Sequence, residues 1–167
     1  MSNLSLAGWL ERLEQLHPSA IDLGLSRCGE VARRLDLVDA GIITATVAGT
    51  NGKGTTVAVM ESVLCASGVH CGAFTSPHLI RFNERIRVDG QEVSDETIIA
   101  AFEAIERARE EISLTYFEFG ALAALWIFKT FNVQYQLLEV GLGGRLDAVN
   151  IIDADVTGIT GIGLEHQ

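Results

Sequence analysis

Apolar positions along the chain alternate between helical and strand-like spacing. Leu6, Trp9, Leu10, Leu13 and Leu16 recur every three or four residues and predict an amphipathic opening helix, with Pro18 just past its end. Residues 21–27 read as a connecting loop into a second helix carrying Val31 and Leu35. Ile42, Ile43, Ala45 and Val47 form a short β-branched run, the pattern of a buried strand. Val57, Val59, Met60, Val63 and Leu64 continue on a helix, which Gly68 ends. Cys71-Gly72-Ala73-Phe74 predicts a second short strand. The pattern then breaks: residues 75–90 carry Arg81, Arg85 and Arg87 and read as a charged loop or hairpin. Ser94, Asp95 and Glu96 are an N-cap and acidic first turn for a helix continued by Ile98, Ala101, Phe102, Ile105 and Ile112. A more apolar helix follows residues 115–118 through Leu122, Leu125, Trp126 and Phe128. Strands are expected from Gln136 and over Ala154–Thr160. Strands alternating with helices predict an α/β fold, a doubly wound, mostly parallel sheet of P-loop type.

Composition narrows the function classes. A length of 167 residues is one domain's worth, and 48% apolar with 20% charged residues describes a globular chain. A net charge of −10 argues against a nucleic-acid partner, which needs a basic surface, but not against ATP, which needs only a local positive site. Cys28, Cys65 and Cys71 show no C-x-x-C spacing, which weighs against a cysteine metal cluster; the odd count suggests reduced thiols in a cytoplasm. Glu11, Arg12 and Glu14 interrupt the N-terminal apolar pattern, so no secretion signal is read there. The run from Phe119 to Phe128 is too short to span a bilayer.

The chemistry concentrates between the first strand and the helix after it, at Gly49-Thr50-Asn51-Gly52-Lys53-Gly54-Thr55-Thr56. Glycines let backbone N–H groups approach an anion, and the helix N-terminus adds partial positive charge. Lys53 adds a full charge, and Thr55 or Thr56 could offer a hydroxyl to Mg²⁺. The structural alternative is a tight turn with a solvent-facing lysine. The ordinary Walker A pattern fails, because Val47 stands at its first glycine and Gly54 follows the lysine where Ser or Thr belongs. Further on, a strand delivers Glu139 at its carboxyl end, and a carboxylate there suits a hard cation such as magnesium.

The loop form G-T-N-G-K-G-T resembles the ATP loop of the Mur ligase superfamily in its folate branch, the folylpolyglutamate synthases and dihydrofolate synthases. The resemblance covers essentially the whole chain. It implies ATP binding by Thr50, Asn51, Gly52, Lys53, Gly54 and Thr55, with Lys53 assisting phosphoryl transfer. Asp22-Leu23-Gly24-Leu25, by itself an ordinary loop, would lie against a pterin. Ser76 of Thr75-Ser76-Pro77-His78-Leu79 would ligate magnesium, in a mobile loop beside the site. Thr115-Tyr116-Phe117-Glu118 reads as a helix start with core aromatics, but in the family it supplies an aromatic that packs on the pterin ring. In the string E-V-G-L-G-G-R-L-D-A-V-N, Glu139 would be a magnesium ligand, and Leu146, Asp147 and Ala148 would contact the pteroate, with Asp147 hydrogen-bonding the pterin. His166 matches a histidine that binds a second metal, although Glu165 replaces the family's aspartate and Gly161 its Ser or Thr. His17, His70 and His78 have no role in this reading.

The activity implied is amide formation. ATP phosphorylates a carboxylate of dihydropteroate or of a tetrahydrofolate polyglutamate, and the amine of L-glutamate displaces phosphate. Residues 1–167 would be the N-terminal ATP-binding domain of such a ligase. The glutamate-binding C-terminal domain and the lysine that the family carbamylates would lie outside it, leaving this piece incomplete for catalysis. The family leans to monomers. The runners-up are a Mur-type ligase acting on UDP-muramoyl substrates and a non-catalytic nucleotide- or folate-binding module.

Overall fold

A computed structural model describes residues 4–16 and 22–163. Two helices, α1 (Leu6–Leu16) and α2 (Ser26–Arg34), precede strand β1 (Ile43–Ala48). The loop after β1 opens α3 (Lys53–Ala66), which leads to β2 (Cys71–Phe74). A 3-10 turn at Phe82–Arg85 enters the hairpin β3 (Ile86–Val88) and β4 (Gln91–Glu92). Then come α4 (Asp95–Arg109), α5 (Tyr116–Thr130), β5 (Tyr135–Glu139), a second 3-10 turn (Ala148–Ile151) and β6 (Val156–Ile159). Pro18, expected just beyond α1, lies outside the described residues.

One sheet runs β4-β3-β2-β5-β1-β6. The strands β2, β5, β1 and β6 are mutually parallel, while β3 and β4 add an antiparallel edge. The fold is therefore α/β with a mostly parallel mixed sheet. Alternate residues of the strands face opposite layers. Ala45, Val47, Ala73 and Leu137 pack on Val57 of α3, whereas Phe74 and Leu138 face the larger core built by α1, α2, α4 and α5. In that larger core Phe82, Phe102 and Phe119 meet edge to face, with ring centroids 5.6 and 5.4 Å apart.

Local sequence explains the element ends. Ser94 caps α4 by accepting a hydrogen bond from Thr97 N, as its position before an acidic first turn predicts. The charged stretch after β2 resolves into a hairpin because Asp89 and Gly90 both hold positive φ, 51° and 74°, as a type I′ turn requires. The helical reading of residues 57–64 holds, but Val59 and Val63 stay well exposed on the outer side of α3. Their apolar character therefore says nothing about burial.

Gly72 of β2 lies under the ring of Phe128, a fully buried residue of α5. A Cβ at Gly72 would come within 2.3 Å of that ring. Gly72→Ala is expected to cost about 1–3 kcal/mol through overpacking. Urea denaturation checks this as a lowered midpoint at constant slope. An unchanged midpoint would mean that β2 and α5 separate freely.

Candidate functional site

Parallel pairing sets Val47 of β1 opposite Glu139 of β5, so the carboxyl ends of β1 and β5 meet at one edge of the sheet. In an open α/β sheet, this is where ligands gather. The loop leaving β1 turns at Gly49, whose φ of 135° and closeness to β6's end exclude a side chain: a Cβ there would sit 2.0 Å from Thr160 Oγ1. Gly52, at φ 86°, precedes α3 with no side-chain cap. The backbone N–H of Thr56 donates to Gly52 O at 2.9 Å, so the N–H groups of residues 53–55 precede the first intrahelical bond. They point out of the helix start, the geometry that receives a phosphate. Thr50 N and Asn51 N instead donate to Gly161 O, at 3.0 and 3.4 Å, so this half of the loop is tied to the end of β6. A side chain at Gly161 would meet open space, and the tie is made by its backbone carbonyl.

Lys53, the first residue of α3, folds its Nζ back onto Gly49 O at 2.9 Å and Thr50 O at 3.4 Å. It also stands between two clefts. One, of about 370 Å³, is lined by Asp22, Leu23, Gly24, Ser76, Thr115, Phe117, Glu118, Leu146, Asp147 and Ala148. The other, of about 510 Å³, is lined by Gly49, Thr50, Gly143, Gly144, Ile159 and Gly163 among others. Lys53, Gly141 and Leu142 belong to both walls. Of the loop residues expected to bind nucleotide, only Thr50 and Lys53 line either cleft. Gly54 lies against Glu139, while Gly52 and Thr55 border a shallow depression on the outer side of α3. The Thr56 hydroxyl donates to Gly52 O within its own helix. Asn51 is exposed.

Glu139 and Ser76 come together as read from sequence. Ser76 N donates to Glu139 Oε2 at 3.0 Å, and a Cβ on Gly54 would lie 3.6 Å from the same oxygen. Burial pushes the Glu139 carboxyl up from its ordinary value, opposed by the Ser76 N–H and the charges of Lys53 and Arg87. The loop beyond Pro77 is held by Glu84, which accepts from the N–H groups of Leu79, Ile80 and Arg81, each at 2.7 Å. These bonds hold the Glu84 carboxyl down at about 2.

Thr115-Tyr116-Phe117-Glu118 is both the helix start and a cleft wall. Thr115 Oγ1 accepts from Glu118 N at 3.2 Å and Glu118 Oε2 from Thr115 N at 2.7 Å, a capping box. Phe117 packs against Phe74 at 5.7 Å and lies over Gly141, where a Cβ would come within 2.5 Å of its ring. Tyr116 points elsewhere, against Phe82 and Arg85, and Leu25 immediately precedes α2; neither lines the cleft. Asp147 is buried and lines the cleft, but its carboxylate organises backbone: Oδ2 accepts from Gly141 N at 3.0 Å and Leu142 N at 2.9 Å, Oδ1 from Val149 N at 3.1 Å. Burial raises its pKa against the pull of those three N–H groups.

Two arginines were missed in the sequence. Arg27 joins the Asp22 segment to the capping box, pairing with Asp22 Oδ2 at 2.8 Å and Glu118 Oε1 at 3.1 Å. Arg85 lines the first cleft, donates to His78 Nδ1 at 2.7 Å and stacks over Phe82 and Tyr116. Among the described residues no carboxylate pairs with it. An R-x-x-E spacing or a lone arginine carries no such signal in one sequence. His166 lies outside the described residues, as do His17, Glu165 and residue 21.

No protein-family model matches the chain. It is 55% identical over 161 residues to the dihydrofolate synthase/folylpolyglutamate synthase of Escherichia coli, an alignment covering 96% of this chain and 38% of that protein. The Haemophilus influenzae protein of the same name is 48% identical over 161 residues, covering 96% and 37%. Among solved structures, Escherichia coli FolC in complex with DHPP and ADP superposes with a TM-score of 0.96 at 54% identity, over 98% of this chain and 40% of that one. A bifunctional folylpolyglutamate synthase/dihydrofolate synthase with Mn, AMPPNP and L-glutamate bound gives 0.93 at 52% identity, over 99% and 40%. The chain thus spans about two-fifths of the length of these relatives.

Glu84 supplies a pH test of the loop beside Ser76. Its carboxyl is depressed in the folded state, so its contribution is complete above the usual carboxylate range and is lost as pH falls through about 2. The amide resonances of Leu79, Ile80 and Arg81 should shift together with a midpoint near 2. A common midpoint in the ordinary glutamate range would show that these bonds do not form in solution.

Proposed function

Because the chain is homologous to the N-terminal part of the dihydrofolate synthase/folylpolyglutamate synthases, we propose that it forms the ATP- and pterin-binding part of an ATP-dependent glutamate ligase. The observation that carries this reading is the shared wall of the two clefts at Lys53, Gly141 and Leu142. Phosphoryl transfer needs a nucleotide and an acceptor carboxylate meeting at one point, and two clefts divided by a lysine provide it.

In the proposed reaction a carboxylate oxygen of dihydropteroate or a folate attacks the γ-phosphorus of ATP, and ADP leaves. The amine of L-glutamate then attacks the acyl phosphate carbon, loses a proton, and phosphate departs. The chain contributes position and charge rather than a nucleophile. Nucleotide phosphates would enter the cleft beside Thr50 and Gly49 and meet the free N–H groups at the start of α3. Lys53 would leave its two loop carbonyls and neutralise charge on the transferring group. The backbone N–H of Ser76 holds this residue beside the Glu139 carboxylate, and that carboxylate with the Ser76 hydroxyl would give oxygen donors of the kind that suit Mg²⁺. Bound there with nucleotide, the ion would offset phosphate charge; the resemblance gives His166 to a second metal.

The pterin would occupy the other cleft. Leu23, Leu142 and Leu146 are about half exposed around it, and the Phe117 ring forms one wall, an apolar frame for a flat heterocycle. Asp22, Gly24, Thr115, Glu118, Asp147 and Ala148 complete the lining, with Asp147 sharing its carboxylate between backbone and ligand. Arg85 is placed to receive an anionic group of the substrate. This frame favours a pteroate over the sugar-nucleotide of a Mur-type ligase. Among the described residues no helix is long and apolar enough to cross a membrane, and all three cysteines are free. The reading places the protein in the cytoplasm as a monomer.

Lys53→Ala, in a protein of the relatives' full length, should lower ATP turnover with dihydropteroate and L-glutamate by at least about a hundredfold, the scale for losing one preorganised charge at the reacting group. The melting temperature should stay unchanged. Undiminished turnover in this variant would reject the assignment, and turnover of UDP-muramoyl substrates in place of dihydropteroate by the unaltered protein would favour the Mur-type reading.

A further inference from the structure

A second cluster of ligating side chains lies at the opposite end of the sheet from Glu139. Cys65 is in the last turn of α3 and Cys71 opens β2; the turn between them, through Gly68 at φ 72°, brings their sulfurs to 3.7 Å. Two thiolates each about 2.3 Å from one tetrahedral zinc ion stand about 3.8 Å apart, so the pair already has the required bite. Asp89, at the β3–β4 turn, places a carboxylate oxygen within 4.8 Å of both sulfurs. That carboxylate is itself held: Oδ1 accepts from Cys71 N at 2.9 Å and Oδ2 faces His70 Nδ1 at 2.6 Å. His70 Nε2 in turn donates to Phe131 O at 2.9 Å. A cleft of about 310 Å³, lined by Cys65, Gly68, Val69, His70 and Asp89, opens the cluster to solvent.

We propose that Cys65, Cys71 and Asp89 form a site for a thiophilic divalent cation of the Zn²⁺ type, with a water from the cleft in the fourth position. His70 orients the carboxylate ligand, as hydrogen-bond partners of metal ligands commonly do. Sulfur donors separate this site chemically from the all-oxygen magnesium position, since Mg²⁺ takes hard ligands. Without a cation the two sulfurs share a hydrogen bond, and burial pushes the Cys71 thiol up to about 12. Binding forms two metal–sulfur bonds and one metal–oxygen bond, displaces hydration water, and releases to solvent the proton of each thiol that becomes a thiolate ligand. The absence of C-x-x-C spacing hid the site, because its third ligand is far along the chain and reaches it through β2–β3 pairing.

Titration of the metal-free, phosphine-reduced chain with Co²⁺ tests the site. A thiolate-to-cobalt charge-transfer band should rise, saturate at one equivalent and collapse on adding Zn²⁺. The band should vanish in Cys65→Ser and in Cys71→Ser, persist in Cys28→Ser, and appear in His70→Ala with affinity weakened about ten- to a hundredfold. Circular dichroism of each variant confirms folding. Should a cysteine variant fail to fold, alkylation of Cys65 in the folded wild-type chain replaces it and must likewise abolish the band. A folded wild-type chain without the band, or a band that survives loss of Cys71 or depends on Cys28, overturns the proposal.

Discussion

Glu139 ends β5 in register with Val47 of β1, and beyond that pair the two chains part. One runs through Gly49 into the start of α3, the other through Gly141 to Gly144. Where they part, Ser76 arrives from β2 and donates its N–H to the Glu139 carboxylate. Slipping the β1–β5 pairing by one residue would turn Glu139 to the other face of the sheet and separate it from α3. The site therefore depends on this register. Thr44 and Gln136 reinforce it in the buried interior, where Gln136 Nε2 donates to Thr44 Oγ1 at 2.8 Å. A buried polar pair tolerates little slippage, because an unmade hydrogen bond there costs the full desolvation of both groups.

Around that point the protein uses backbone as much as side chains. Asp147 gathers three N–H groups and so fixes the Gly141–Leu142 segment dividing the two clefts. Gly141 in turn has no side chain because the Phe117 ring occupies that space. Gly161 O ties down the first half of the phosphate-type loop, leaving the N–H groups of residues 53–55 to face an anion. The charge at the junction is balanced unevenly: burial disfavours the ionised forms of Glu139 and Asp147, while Lys53 stands close enough to favour both. A site with a cation in place would relieve that strain on Glu139.

Much of this was legible in the sequence, for identifiable reasons. Apolar patterning marked the major elements, although α3 leaves Val59 and Val63 exposed and β6 leaves Val156 and Ile159 exposed. Lys53 was legible from its glycine-rich loop after a strand and Glu139 from its place at a strand's carboxyl end, whereas Ser76 came from resemblance. The cleft residues Asp22 to Gly24, Thr115, Phe117, Glu118 and Leu146 to Ala148 came from resemblance, and the fold gathers them into one cavity. What stayed hidden depends on contacts between distant segments. Arg27 bridges Asp22 and Glu118, Arg85 rests on the rings of Phe82 and Tyr116, and the Asp147 carboxylate turns toward backbone. Tyr116 and Leu25, adjacent to lining residues, point away because a helix start turns successive side chains by a large angle.

The central claim is that the two clefts meeting at Lys53 hold a nucleotide and a pteroate. Calorimetric titration of the folded 167-residue chain, first with ATP–Mg²⁺ and then with dihydropteroate, tests it most directly. Saturable heat with dihydropteroate that is lost on Phe117→Ala, in a variant with an unchanged unfolding midpoint, is the predicted result. Dihydropteroate binding left intact by that substitution, or no heat with either ligand in a sample shown to be folded, would contradict the account.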